Sequence, residues 1–442
     1  MSRSRYVIIG NSAAAVGAVT AIREADREGS LTLLAREREH TYSRPLISYL
    51  LAGLVDESRM SYRGEDFYRI NRVEALLGVE ATGIDEASRA VLTADGRRIE
   101  FETLLIATGG APVIPRDLAG ADARGVFTFT TWEDARRIRA WIDPSDPDGA
   151  SGSRRGEAHV RRAVVVGGGL IGLKAVEALA ELKIETVVVE LADRILAATF
   201  DRTASDLASK YLRKAGVAVR CSTTVSEIRT EDGRVAAALL RDGTRLDCEM
   251  LILAIGVAPD VRVANGTSIR LDRGILVDET MQTSVKGVYA AGDVAEAADL
   301  LSGKSRPIPI LPIAYRQGAV AGANMAGRPA AYKGGLAMNA VDICGLPTIS
   351  VGMTSLEGEG IEVLSRLDEE KGVYKKLVLK DRRLVGAIFV GDIDRAGIAT
   401  GLIREKVDVS AFKHLLLSEE FGVLSLPEGY RKHVVSGQGI EV

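Results

Sequence analysis

Cysteine is scarce in this chain: Cys221, Cys248 and Cys344 are the only three, far apart and with no CxxC pair. No cluster or zinc site is legible in that spacing, which suits a reducing compartment. Histidine is equally sparse, four scattered residues in all, so a His-based metal site is not expected. No apolar run is long enough to span a bilayer, and the first residues lead almost at once into a strand, leaving no room for a signal peptide. A formal net charge of −3 argues against nucleic acid as the main partner. These absences leave the expectation of a soluble cytoplasmic protein, without membrane insertion, whose 442 residues suffice for two or three domains.

A strand–turn–helix pattern occurs twice. VIIGNSAAAVGAV (7–19) has the outline of a dinucleotide-binding turn, yet only Gly10 of the three usual glycines is present, with Ser12 and Ala15 in the other places. AVVVGGGLIGLKAVEALAEL (163–182) repeats the pattern in full. SLTLLA (30–35) and ETVVVE (185–190) follow as further strands, so two βαβ beginnings stand in one chain. The expected class is therefore α/β, with two doubly wound units. Between them, DPSDPDGASGSRRGE (143–157) reads as a flexible loop, with partner docking as the alternative role. From about residue 330 the texture changes, and YKKLVL (374–379) and LVGAIFV (384–390) read as a hairpin around a DRR turn in a smaller α+β domain.

The second turn is the stronger. Gly167, Gly169 and Gly172 stand at GxGxxG spacing, which serves a tight turn, close approach of backbone to a pyrophosphate and packing of helix on strand. Glu190 ends the next strand, where a carboxylate accepts hydrogen bonds from an adenosine ribose and repels the extra phosphate of NADP. Glu37 occupies the matching region after the first turn, where a surface glutamate is the plain alternative. Two further strands close in small residues, TLLIATGGAP (103–112) and GVYAAGDVA (287–295), and in the second Asp293 stands where a polyol hydroxyl could be held.

In this order, the turn at Gly10, ATG at 107–109, the turn at 167–172, LILAIGVAPD and AGD at 291–293, the chain resembles the pyridine nucleotide–disulfide oxidoreductases. Within that family EREHTYSRPLIS (37–48) and PIAYRQGAVAGANMAG (312–327) resemble the branch of ferredoxin and rubredoxin reductases and nitrite reductase flavoprotein parts. The resemblance implies an FAD-binding domain from 1–116 and 252–329, an NAD-binding domain at 117–251 with the insertion 143–157, and a C-terminal interface domain at 330–442. It implies that Gly10, Ser12, Ala13, Ala14 and Ala15 wrap the FAD pyrophosphate and that Glu37 holds the adenosine ribose. Arg44 and Pro45 would lie near the pyrophosphate or flavin, Ala81 would offer backbone to the adenine, and Ala107, Thr108 and Gly109 would line the FAD side. Gly292 and Asp293 would bind the ribityl chain, and Ile313 and Ala314 would point amides at the flavin carbonyls. For NAD the implied residues are Gly167, Gly169, Leu170, Ile171, Gly172, Glu190 and Gly256.

The departures from the family matter as much. The segment that carries redox cysteines in disulfide reductases reads TYSRPLISYLL here, without one, which excludes a thiol relay through this region. Tyr49 stands where many iron–sulfur-protein reductases have lysine, and Lys174 where many relatives have glutamate, so no catalytic side chain is assigned. The resemblance implies an FAD-dependent enzyme moving electrons between NAD(H) and an iron–sulfur protein or partner subunit, in either direction. A free-standing reductase and the NAD-linking flavoprotein subunit of a 2-oxoacid oxidoreductase rank together; a homodimer or a place in a larger complex both fit. An NADH oxidase using oxygen is one alternative, and a redox-sensing FAD- and NADH-binding scaffold resembling apoptosis-inducing factor is another.

Overall fold

The computed structural model describes residues 4–143, 160–419 and 421–426. Ser4–Ile9 becomes the central strand of a parallel sheet because its apolar run, Tyr6 to Ile8, is shielded on both faces. Leu31–Ala35 pairs with it on one side and Arg98–Ile106 on the other; Val73–Leu77 and Val288–Ala290 extend the parallel sheet beyond them. An antiparallel excursion, Ala81–Asp85 and Ala90–Thr93, leads into Arg98–Ile106. Helices α1 (Ala13–Ala25), α2 (Ile47–Ala52) and α3 (Phe67–Ile70) lie in the connections.

The second fold repeats this plan. Arg162–Val166 is central between Glu185–Val189 and Met250–Leu253, with Ala218–Arg220 and Val126–Thr128 outermost, all parallel. It also carries a three-stranded antiparallel excursion, Val225–Glu231, Arg234–Leu240 and Arg245–Asp247. One core joins excursion to sheet through Val164, Val166, Val189, Ile228, Leu251 and the buried Cys248. Helix α4 (Trp132–Ile142) precedes the central strand, α5 (Leu170–Glu181) follows it, and α6 (Arg202–Lys214) comes after Glu185–Val189. The chain enters this fold through Gly110–Pro112 and leaves through Val257–Pro259, and these two short strands pair antiparallel. Helix α7 (Leu311–Met325) then returns to pack on α1. Two doubly wound sheets are thus present, as the two glycine turns imply.

The chain divides into two compact units, Met1–Leu191 with Gly216–Gly335, and Ala192–Ala215 with Leu336–Val442. The second unit holds a five-stranded antiparallel sheet, in the order Met338–Ile343, Leu346–Gly352, Arg383–Val390, Val373–Lys380, Ile361–Asp368, with α8 (Ala396–Arg404) on it. The expected hairpin is there: Asp381 (φ +48°) and Arg382 (φ +64°) form its two-residue turn. Segment 192–215, read from sequence as part of 117–251, groups with this sheet, on which α6 packs and to which polar contacts tie it. Asp201 caps α6 at the Ala204 amide (3.1 Å) while accepting the Tyr374 hydroxyl (2.7 Å) and pairing with Lys376 (3.1 Å). The loop expected at 143–157 lies, from residue 144 onward, outside the described residues. Among the described residues no helix is long and apolar enough to cross a membrane, and no side-chain group fits a metal ion.

Candidate functional site

The two turns share one wiring. Gly10 donates to the Leu34 carbonyl and Ala107 to that of Ile9, both at 2.8 Å; Gly167 donates to Val189 and Ala254 to Val166, again at 2.8 Å. Gly10 (φ +123°) and Gly167 (φ +111°) adopt a backbone conformation that side chains avoid, and a Cβ on either would strike the carbonyl of Ala107 or Ala254. At the third place the two turns differ. A Cβ on Gly172 would strike the Gly167 carbonyl, whereas Ala15 fits its methyl into a fully buried position. The reduced glycine count of the first turn therefore follows from local room, and the turn itself is intact.

The helix starts are closed in different ways. α4 is closed by a Thr131–Asp134 capping box and α6 by Asp201. α1, α5 and α7 begin at Ser12, Gly169 and Ile310 with no side-chain cap and no acidic residue in the first turn. Within α1 the first amide to bond inside the helix is that of Val16, so Ala13, Ala14 and Ala15 present theirs outward; within α5 it is that of Leu173, leaving Leu170, Ile171 and Gly172. Such ends favour anions, and the donor sets fit a pyrophosphate at each turn. In α7 the expectation needs correcting in part. The Ala314 amide donates to the Ile310 carbonyl (2.9 Å), so Ile313 is left as the amide donor and Ala314 contributes its methyl.

α1 and α7 meet through absent side chains. A Cβ on Gly318 would run into the Ala14 backbone, and one on Gly322 into that of Ala18. Where the helix starts converge, Gly292 lies with its Cβ direction 3.3 Å from the Ala14 methyl and 3.5 Å from that of Ala314, and its amide donates to Gln317 Oε1 (2.8 Å). Asp293 follows. Burial pushes its carboxyl above the ordinary range against the pull of Arg44. Arg44 donates to the Thr130 carbonyl (2.9 Å) and pairs with Glu37, whose second oxygen takes the Tyr42 hydroxyl (2.5 Å). Tyr42 in turn accepts the Trp132 amide at the head of α4 (3.1 Å). The structure thus gathers Glu37, Arg44 and Asp293 electrostatically, with exposed Pro45 second in the turn Arg44–Leu46 that leads into α2.

The remaining expected residues spread outward. Thr108 donates its hydroxyl to the Asp260 carbonyl (2.7 Å), and Gly109 accepts the Asp260 amide (2.9 Å), so this strand end is bound to the exit of the second fold. Ala81 opens the antiparallel excursion, just past Val79, whose amide donates to Ala35 (2.8 Å). Gly256 accepts the Val113 amide (3.0 Å) and has open space where a side chain would stand. Glu190 accepts the Gly168 amide (2.6 Å), which sets its carboxylate at the second turn. Sequence reading missed Tyr42 and Gln317. It also missed Tyr68, whose hydroxyl ties Asn11 (2.6 Å) in the first turn to the Thr41 amide (3.0 Å). These are long-range polar contacts with no periodic signal; the Gly318 and Gly322 spacing was readable as a close-packing stripe.

Comparison with known proteins agrees with this arrangement. The pattern for pyridine nucleotide-disulphide oxidoreductases matches residues 4–318, and that for the rubredoxin NAD+ reductase C-terminal domain matches residues 338–407. The NADH-dependent phenylglyoxylate dehydrogenase subunit epsilon of Aromatoleum evansii is 31% identical over 427 residues, 96% of this chain and 97% of that one. Rubredoxin-NAD(+) reductase of Pseudomonas putida is 29% identical over 298 residues, 67% of this chain and 73% of its own. Among solved structures, an NAD-dependent persulfide reductase from A. fulgidus aligns with a TM-score of 0.82 at 26% identity, covering 92% of this chain and 78% of that one.

Proposed function

Since this chain belongs to the pyridine nucleotide-disulphide oxidoreductase family, and so is an oxidoreductase using FAD and NAD(H), we propose that it moves electrons between NAD(H) and an iron–sulfur carrier or subunit. The observation that carries this reading is the lack of any thiol along the way. None of the three cysteines falls between Glu37 and Leu51, and Cys248 is sealed in the core of the second sheet, where burial pushes its thiol up to about 12.

FAD, when bound, takes electrons in pairs from a nicotinamide and passes them on singly. The amides of Ala13, Ala14 and Ala15 with Gly10 and Ser12 would hold its pyrophosphate, Glu37 its adenosine ribose, and Asp293 beside Gly292 its polyol chain. Arg44 balances both carboxylates, and the Ile313 amide would serve the flavin. Leu170, Ile171 and Gly172 would hold the NAD pyrophosphate, Glu190 its ribose, and open Gly256 would let the dinucleotide approach the backbone. The chain supplies position and charge. We assign the two cofactor domains to 1–116 with 252–329 and to 117–251, the latter apart from segment 192–215, which groups with the C-terminal sheet, and place the protein in the cytoplasm.

The end-to-end match to a dehydrogenase subunit favours the subunit form of this role. Phenylglyoxylate is a 2-oxoacid, and we read the chain as the NAD-linking flavoprotein subunit of a 2-oxoacid oxidoreductase whose clusters reside in other subunits. The test is anaerobic. The purified holoprotein is bleached with NADH, then mixed with a two-cluster ferredoxin or with air-saturated buffer. Reoxidation by ferredoxin at least tenfold faster than by oxygen is expected; faster reaction with oxygen would instead make it an NADH oxidase.

A further inference from the structure

Two residues that stood out in the sequence without a role, Tyr49 and Lys174, touch each other. Tyr49 lies on α2, which leads on from Arg44, and Lys174 lies one turn into α5, beyond the Gly167–Gly172 turn. The two helices pack together, and the Lys174 ammonium stands 5.1 Å from the centre of the Tyr49 ring, a cation–π distance. Glu177, one turn further along α5, pairs with the same ammonium. The nearby cation on α4, Arg139, is engaged with the Leu50 carbonyl (2.9 Å). Tyr49 is 39% exposed, so the contact opens to solvent between the two nucleotide segments.

This position has a consequence for charge. The oxidised and reduced dinucleotides share every phosphate and ribose, but only the oxidised nicotinamide is a cation. A side chain felt at the phosphates treats the two alike, whereas one felt at the nicotinamide separates them. Lys174 stands where the helix carrying the dinucleotide turn meets the helix leading from the flavin-side loop, so a nicotinamide reaching from that turn toward the flavin side would pass close to it. Its partner Glu177 lies three residues farther along α5 from the turn, so the cationic residue is the nearer of the pair to the dinucleotide turn. The start of α5 adds positive potential of its own.

We propose that Lys174, held over the Tyr49 ring and backed by Glu177, is a specificity-determining residue that weakens binding of NAD+ relative to its uncharged reduced form. The inference rests on NAD(H) occupying the Gly167–Gly172 turn, and it needs no assumption about the electron acceptor. A chain so biased holds the reduced dinucleotide more tightly than the oxidised one, whichever way the electrons run.

The test is calorimetric titration of the oxidised holoprotein with NAD+ and with 1,4,5,6-tetrahydro-NAD, whose ring is uncharged and cannot donate electrons. A unit charge acting on a cationic ring across a partly solvated site, itself partly offset by its partner, supports roughly a threefold effect per charge. Lys174→Gln should move the affinity ratio about threefold toward NAD+, and Lys174→Glu about tenfold. Glu177→Gln, which leaves the ammonium unbalanced, should move it the other way. A ratio within twofold of wild type in Lys174→Glu, or parallel loss of both ligands, overturns the proposal. Gly172→Ala is the site control. If it abolishes both titrations while Lys174→Glu leaves the ratio unchanged, the charge inference alone fails; if it leaves both intact, the dinucleotide is elsewhere and both fall.

Discussion

Substituting Gly318 by alanine tests whether the contact between α1 and α7 sets the geometry of the first turn. The added Cβ would lie 2.6 Å from the Ala14 carbonyl carbon and 2.8 Å from its Cα, all backbone atoms that no side-chain rotation can clear. Reaching ordinary carbon contact requires the helices to part by about 0.8 Å or more. Overpacking of this kind costs about 1–3 kcal/mol. Ala14 is the middle of the three residues whose amides face outward at the start of α1, so the displacement falls on the phosphate donors themselves. A shift of that size stretches hydrogen bonds beyond useful length, and FAD affinity should fall about tenfold or more, equivalent to at least ~1.4 kcal/mol. The assay is flavin content as purified, followed by FAD titration of the apoprotein. Gly322→Ala is the matched control: its Cβ meets Ala18, one turn deeper, with Cα at 2.7 Å. It should loosen the helix pair as much while keeping more of the flavin. Full flavin content in Gly318→Ala, or equal loss in both variants, refutes the reasoning.

Gly172→Ala should keep FAD but lose NAD(H) binding, because its methyl would press on the Gly167 carbonyl and not on the first turn; flavin absorbance together with NADH bleaching reads both, and loss of FAD would contradict it. Asp26 gives a pH prediction. Its carboxylate accepts the Gly29 amide (2.9 Å), the Tyr6 hydroxyl (2.8 Å) and the Glu28 amide (3.0 Å) and pairs with Arg5 (2.8 Å), which together hold it down at about 2. That value lies below the unfolded one of about 3.9, so the stabilisation is complete above that pH and drains away as pH falls toward 2. Asp26→Asn should be about 1–2 kcal/mol less stable in urea at pH 7, with the gap closing below pH 3; an equal gap at both pH values would show that the bonds do not favour the charged form.

Much of the fold was legible because its signals are local. Valine runs followed by glycine at fixed spacing mark Arg162–Val166 and its turn, and alternation around Asp381 and Arg382 marks the C-terminal hairpin. What escaped has a common physical form. Asp201 reaches Tyr374, Tyr42 bridges Glu37 to Trp132, and Gln317 holds Gly292, each across a sequence distance over which apolar periodicity carries no information. Ala314 shows the limit on a finer scale. Its place near a helix start was readable, but whether its amide was already used depended on where the helix begins, at Leu311. Tyr49 and Lys174 were visible singly as oddities, and only the packing of α2 on α5 makes them one feature.

The antiparallel pairing of Gly110–Pro112 with Val257–Pro259 makes the second fold a parenthesis in the first. Its opening and closing brackets are hydrogen-bonded to each other, so the chain leaves the first sheet and returns to it at one seam, while Arg44, Tyr42 and Leu50 hold the inserted fold against the first. Loop-closure entropy grows only slowly with length, and here the bracket itself defrays it. The strands of the surrounding sheet therefore pair with one another across the insertion, with Val288–Ala290 returning directly beside Arg98–Ile106.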